Sequence, residues 1–170
     1  YRQQQIFKRS GITIAPSTID GWVSQLGTLL EPLYDAMVNA IKNDGYLQAD
    51  ETPTRVLDKN KKDECHRGYY WDYHSPLKRI IVFEYYQRGR NKDAPRKILD
   101  NFQGYLQTDG YASYNQYHNK TGVTHLACWA HARRYFDQAL NQDKVRAEFA
   151  LEQIQKLYAI ERELKEMLPK

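Results

Sequence analysis

Two acidic residues in this 170-residue chain stand where they could share a divalent metal. Asp50 follows the apolar-alternating run Tyr46-Leu47-Gln48-Ala49, and Asp109 follows Tyr105-Leu106-Gln107-Thr108. An acid at a strand end projects into the crevice beside a sheet rather than into its core. Carboxylates are the hard ligands that Mg²⁺ prefers, with Mn²⁺ as a substitute, and ions held this way activate the attacking and leaving oxygens of a phosphodiester displacement. The plainer reading is that Asp50 caps a turn and Asp109 is the N-cap of a strand-to-helix junction.

Which reading holds depends on the elements around the acids. Ser17-Thr18-Ile19-Asp20 has the form of a capping box, and Ile19, Trp22, Val23, Leu26, Leu29 and Leu30 then recur at helical spacing, which predicts a helix from Thr18. Pro32 predicts a kink or a restart, and Asn43-Asp44-Gly45 an end after Lys42. With a shorter helical piece before Gly11, residues 1–45 form an N-terminal helical segment of helix-turn-helix outline. It either reads DNA or packs as a hairpin on the domain C-terminal to it.

Residues 46–140 read as mixed α/β. Strands are expected at Tyr46–Ala49, Gly68–His74 and Arg79–Tyr85, in antiparallel succession. A helix over Lys92–Phe102, a strand at Tyr105–Thr108, and a strand at Val123–Ala127 running into a helix with Cys128, His131 and Arg134 complete the pattern. Three antiparallel strands followed by alternating helix and strand is the order of a ribonuclease-H-like domain with flanking N- and C-terminal helices. In that topology the first and fourth strands are neighbours, which brings Asp50 and Asp109 within a few ångströms. Residues 141–170 read as a further helical segment.

Composition narrows the class. At 41% hydrophobic residues the chain has enough for one core. No stretch approaches the roughly 20 apolar residues of a membrane span, and Tyr1-Arg2-Gln3-Gln4-Gln5 lacks the apolar run of a signal peptide. Two cysteines, Cys65 and Cys128, are too few for a disulfide framework. The expectation is a soluble cytoplasmic protein with no membrane partner, and the absence of an initiator Met points to a piece of a longer one. The net charge is +4, and all the excess lies in residues 46–140, with fifteen basic and eleven acidic side chains. Arg88, Arg90 and Lys92, followed by Arg96-Lys97, form the densest basic cluster, which suits a surface tracking phosphates or, more plainly, a solvated loop.

Four segments together resemble the insertion-sequence-66 family of bacterial transposases. They are Ala49-Asp50-Glu51-Thr52-Pro53, Gly68-Tyr69-Tyr70-Trp71, Gly104-Tyr105-Leu106-Gln107-Thr108-Asp109-Gly110-Tyr111, and Cys128-Trp129-Ala130-His131-Ala132-Arg133-Arg134-Tyr135-Phe136. Their order and approximate spacing match as well. The resemblance implies an Asp-Asp-Glu transposase of an insertion sequence, a mobile element, in which Asp50 and Asp109 are the first two catalytic, metal-binding acids. The implied partner is DNA, both transposon ends and target, with possible self-association. DNA transposition and recombination would proceed by Mg²⁺-dependent cutting and joining. The family's third acid, in an Asn-Asn-x-x-Glu-Arg motif, has no counterpart here. A metal pair lacking that ligand should be poorly active alone, so an inactive ribonuclease-H-like DNA-binding or assembly module, a transposase remnant, is the alternative.

Glu148, Glu152, Glu161 and Glu163 could each replace the third acid, although helical spacing makes them partners of Lys156, Arg162 and Lys165. Glu51 alternates to the face opposite Asp50 and is left out of the site. Cys128 and His131 form a Cys-x-x-His pair that Cys65-His66 could complete as a zinc site, but Cys65 is expected in a Lys- and Glu-rich loop. A buried thiol and a hydrogen-bonded imidazole is the default, and the resemblance implies an architectural or DNA-contact role. Arg133, Arg134, Tyr111 and Tyr114 are expected to border the strand ends and contact phosphates or unpaired bases. Tyr69, Tyr70, Tyr73, Tyr85 and Tyr86 are expected as sheet residues with surface hydroxyls.

Overall fold

The computed structural model describes residues 2–57, 64–86 and 89–167, with side chains as far as residue 164. The chain forms two units, Tyr1–Ala40 and Ile41–Lys170. In the first, helix α1 (Arg2–Arg9) closes on Gly11, whose φ of +77° is a conformation open to glycine, and its amide donates to the Lys8 carbonyl. Helix α2 (Pro16–Lys42) begins two residues before the expected start, with Pro16 in its first turn. It continues through Pro32, so the expected restart does not occur; proline deletes a single backbone bond and the flanking turns keep theirs. Trp22, Leu26, Leu29 and Leu33 on α2 are exposed. Among the described residues no helix is long and apolar enough to cross a membrane.

The second unit contains a five-stranded mixed sheet of strands β1 (Tyr46–Leu57), β2 (Cys65–Ser75), β3 (Ile80–Tyr86), β4 (Gly104–Thr108) and β5 (Val123–Ala127). Their order across the sheet is β3-β2-β1-β4-β5. The first three are antiparallel neighbours, and β4 lies parallel between β1 and β5. The expected adjacency of the first and fourth strands is therefore present. One sheet face supplies Leu47, Ala49, Trp71, Tyr73, Val82 and Leu106 to the core. Against it lie Ile98 and Leu99 of helix α3 (Arg96–Leu99), Phe102, and Tyr114 and Tyr117 of a 3₁₀ helix (Ala112–Tyr117). Trp71 and Tyr114 meet edge to face with ring centroids 5.8 Å apart. Helices α4 (Trp129–Ala139) and α5 (Lys144–Met167) follow, and α5 buries Ala147 and Ile154.

Three expectations are corrected. The Lys92–Phe102 helix shrinks to four residues, because Ala94 precedes Pro95 and is biased away from helical backbone. The Asn91 side chain meanwhile holds the Asp93 amide in a turn. Tyr73 is fully buried rather than presenting a surface hydroxyl. Strand β1 runs twelve residues, not four, so Asp50 sits inside it. Beyond Gln48 the strand has lost β4 as a partner and pairs with β2 alone, out to Leu57 opposite Cys65. Pro53 is compatible with such an edge, whose N–H groups on the side away from β2 have no β4 partner.

Gly104 anchors the start of β4. Its φ is +128°, its amide donates to the Gly122 carbonyl, and a Cβ would fall 2.3 Å from the Gly45 carbonyl oxygen. That oxygen accepts the Tyr105 amide at 2.8 Å, so it cannot move without breaking the entry of β4. Gly104→Ala should destabilise the second unit by roughly 2–4 kcal/mol, read by thermal or denaturant unfolding. An unchanged midpoint would contradict this packing.

Candidate active site

Beyond Gln48, opposite Gln107, β1 and β4 are no longer paired, and a cleft of about 210 Å³ lies there. Strand alternation turns Gln48, Asp50, Gln107 and Asp109 to this side and Leu47, Ala49, Leu106 and Thr108 to the core. The expected consequence of the topology holds: Asp50, Asp109 and His131 offer ligand atoms that all lie within 4.8 Å of one another. His131 comes from the first turn of α4, with Nε2 3.6 Å from Asp50 Oδ2, while its buried Nδ1 has no hydrogen-bond partner among the described residues. Two carboxylates and an imidazole are a suitable donor set for a divalent cation. Burial raises the Asp50 carboxyl above its usual range; His131 opposes this, Asp109 adds to it, and Arg90 and Arg134 oppose it.

Asp109 is fixed from two sides. Its Oδ1 accepts the Tyr111 amide at 2.9 Å, and its Oδ2 lies 3.5 Å from the Arg90 guanidinium. Arg90 also forms an ion pair with Glu51, stacks 3.6 Å from the centroid of the Tyr111 ring, and accepts the Tyr111 hydroxyl at its own carbonyl. Glu51 is on the opposite face from Asp50, as alternation requires, with its side chain only 1% exposed. Its Oε2 accepts the Tyr114 hydroxyl at 3.0 Å. Arg90 thus links a buried carboxylate in the core to Asp109 in the cleft.

The remaining expected residues divide. Arg90 and Tyr111 are tied into this clamp. Tyr114 is fully buried and has no face for a base. Lys92 is exposed on a turn whose carbonyl accepts Gln116, Arg133 and Arg134 are exposed on α4, and Arg88 lies outside the described residues. Cys128 lines the cleft in extended backbone as the N-cap of α4, without a side-chain capping bond. Cys65 begins β2 instead of occupying a loop. It pairs with Leu57, seven positions along β1 from Asp50 and roughly 23 Å away at strand rise, so a zinc site uniting it with Cys128 is not formed. Glu148 and Glu152 pair with Lys144 and Lys156, and among the described residues no glutamate joins the Asp50 cluster.

Sequence reasoning missed Asp72. It is the cross-strand partner of Asp50 and lines the same cleft, and burial raises its carboxyl. The β2 register that places it there has no local signal in a run of tyrosines. His74, opposite Gln48, was missed for the same reason; its Nδ1 donates to the Gln48 side-chain carbonyl at 2.9 Å.

Behind Asp109, the Thr108 hydroxyl donates to the Asp109 carbonyl at 2.7 Å, so His125 Nε2 must donate to the same hydroxyl oxygen, also at 2.7 Å. His125 Nδ1 then faces His118 Nδ1 as an acceptor. Burial and His118 both lower the His125 pKa. A base with a depressed folded pKa favours folding above the ordinary imidazole value near 6.5, and that advantage is lost as pH falls through it. Thermal unfolding between pH 8 and pH 5 should therefore show a decline that is flatter in His125→Gln; parallel curves would contradict the pairing.

The sheet and its cluster define an α/β domain with the donor set of a divalent-metal centre. The chain belongs to the IS66 transposase family: residues 1–170 match the family described as Transposase IS66 family. Two similar proteins of Sinorhizobium fredii (strain NBRC 101917 / NGR234) are named uncharacterized protein y4qI and uncharacterized protein y4jD. The first is 30% identical over 151 residues, covering 80% of this chain and 28% of that protein. The second is 29% identical over 149 residues, covering 80% and 29%. The chain spans less than a third of the length of these relatives.

Proposed function

We propose that this chain is the ribonuclease-H-like part of a DNA transposase, supplying two of the carboxylates that hold divalent metal at the scissile phosphodiester. The observation that supports it most is the meeting of Asp50 and Asp109, from separate strands, with His131 in one cleft of a transposase-family chain. The sheet order β3-β2-β1-β4-β5 is the one a ribonuclease-H-like topology requires.

The expected reaction is attack of a water oxygen on phosphorus, breaking the P–O3′ bond so that O3′ takes a proton. The freed 3′ hydroxyl then attacks a target phosphodiester in the same way. A bound divalent ion would neutralise developing charge and lower the pKa of the attacking hydroxyl. The chain's own contribution is position. Asp50 and Asp109 would hold metal, Arg90 and the Tyr111 amide fix Asp109, and His131 adds a nitrogen donor. That nitrogen favours Mn²⁺ over Mg²⁺, which prefers oxygen ligands throughout. Arg133 and Arg134, on the helix that carries His131, and Lys92 are exposed and are proposed phosphate contacts.

That the cluster around His131 draws two carboxylates from the described residues, Asp50 and Asp109, favours a second reading, an inactive DNA-binding or assembly module. Cleavage by the full-length protein on a duplex carrying the element end separates the two. With Mn²⁺ the active reading expects nicking that falls about 10³-fold or more in Asp109→Asn. Equal residual cleavage in both proteins would favour the module.

A further inference from the structure

The β1–β2 ladder is long. Among the described residues β1 pairs with β4 as far as Gln48 and β2 pairs with β3 as far as Tyr69 opposite Tyr86, and β1 and β2 go on pairing from Thr54 opposite Gly68 to Leu57 opposite Cys65. Among the described residues these last four rungs form a two-stranded ribbon. Gly68 lies where it emerges, and a Cβ there would fall 2.9 Å from Val56 Cγ2 and 3.1 Å from the Tyr85 ring.

On this ribbon Arg55 is the direct cross-strand partner of Arg67. Like charges facing each other across a ladder destabilise it, so the pair is costly unless something anionic answers it. Both are exposed, and neither has an ion pair with a described carboxylate. With His66 and Cys65 they line a concavity of about 480 Å³. Arginine forks match phosphate oxygens, and a ribbon with paired arginines is a form in which strands track a duplex.

We propose that this arm is a DNA contact, with Arg55 and Arg67 each gripping a phosphate of the duplex backbone. The choice of DNA over other polyanions rests on the transposase reading above. Arg55 lies five residues beyond Asp50 on the same strand, roughly 17 Å away at strand rise, and alternation turns it to the opposite face. The arm therefore holds a stretch of backbone outside the cleft, and its binding is separable from metal binding.

The test is binding of this chain to a 30-base-pair duplex in EDTA across a salt series, comparing the wild type with Arg55→Gln/Arg67→Gln. At low salt the double variant should lose about tenfold in affinity, and the slope of log affinity against log salt should shrink by about 1.8, or ~0.9 per phosphate contact. Arg55→Lys/Arg67→Lys should keep most of the slope. Lys144→Gln/Arg146→Gln, which removes two charges on α5, should leave affinity within about twofold. Melting of the double variant should be unchanged or slightly raised, since like charges are removed, so a loss of binding cannot be assigned to unfolding. Equal affinity and slope in wild type and double variant, or no binding by the wild type, overturns the proposal. So does displacement of the Arg55- and Arg67-dependent binding by millimolar inorganic phosphate at constant ionic strength, which would mark a single-phosphate site. Because no metal is present, a failed cleavage assay leaves this result standing, and the reverse also holds.

Discussion

Asp50→Asn should lose Mn²⁺ affinity by on the order of 100-fold or more while the chain folds as well as before or slightly better. The first expectation follows from ligand count. Removing one of two carboxylates costs at least what removing an outer partner of a metal ligand costs, typically 10–100-fold. The second follows from the charge balance of the cleft, where burial and Asp109 raise the Asp50 carboxyl. A carboxyl raised in the folded state imposes a penalty that is absent below its unfolded pKa and present above the folded one. Asparagine removes that penalty at neutral pH and can still accept the Glu51 amide that Asp50 Oδ1 holds at 2.8 Å. With the side chain 52% exposed, solvent screening limits the gain to a few tenths of a kcal/mol. Isothermal titration with Mn²⁺ and a parallel melt read both effects. Unfolding of the variant would make Asp50 a structural acid.

Glu51→Ala should be the most destabilising change near the site, by about 3 kcal/mol. Breaking a buried ion pair from one side costs roughly 3–5 kcal/mol, reduced here because the Arg90 side chain is 36% exposed and can turn to water. The Tyr114 hydroxyl also loses its acceptor, and as its burial pushes the phenol far up, it remains a neutral donor with nothing to bond. Glu51→Gln keeps an acceptor for Tyr114 and should cost less, about 1–2 kcal/mol. Both variants free Arg90 from its anchor, so metal affinity should fall with stability through looser placement of Asp109. Denaturant unfolding that puts Glu51→Ala within about 0.5 kcal/mol of the wild type, the range of an ordinary surface substitution, would contradict the clamp.

The contrast between these neighbours shows what was legible in the sequence. Alternation along one strand was enough to send Asp50 and Glu51 to opposite faces, and the order of elements was enough to place β1 beside β4. The role of Glu51 was not readable, because its partners Arg90 and Tyr114 reach it from a turn and a 3₁₀ helix with no periodic signature. The Arg90 pairing was hidden for the same reason: a basic run gives no sign of which of its members finds a buried carboxylate. The length of β1 was hidden by Pro53, which marks a strand end unless the strand is already an edge. Asp72 depended on the β2 register, and His131 on the entry angle of α4; both are set by tertiary packing rather than by local propensity.

The most direct measurement is diffraction from crystals of this chain grown with Mn²⁺, recorded for anomalous scattering. The expected result is one strong peak in the cleft, with oxygens of Asp50 and Asp109 and a His131 nitrogen at roughly 2.1–2.4 Å. A peak elsewhere, or a cleft in which Mn²⁺ at saturating concentration leaves the two carboxylates unligated, would contradict a metal centre at this site.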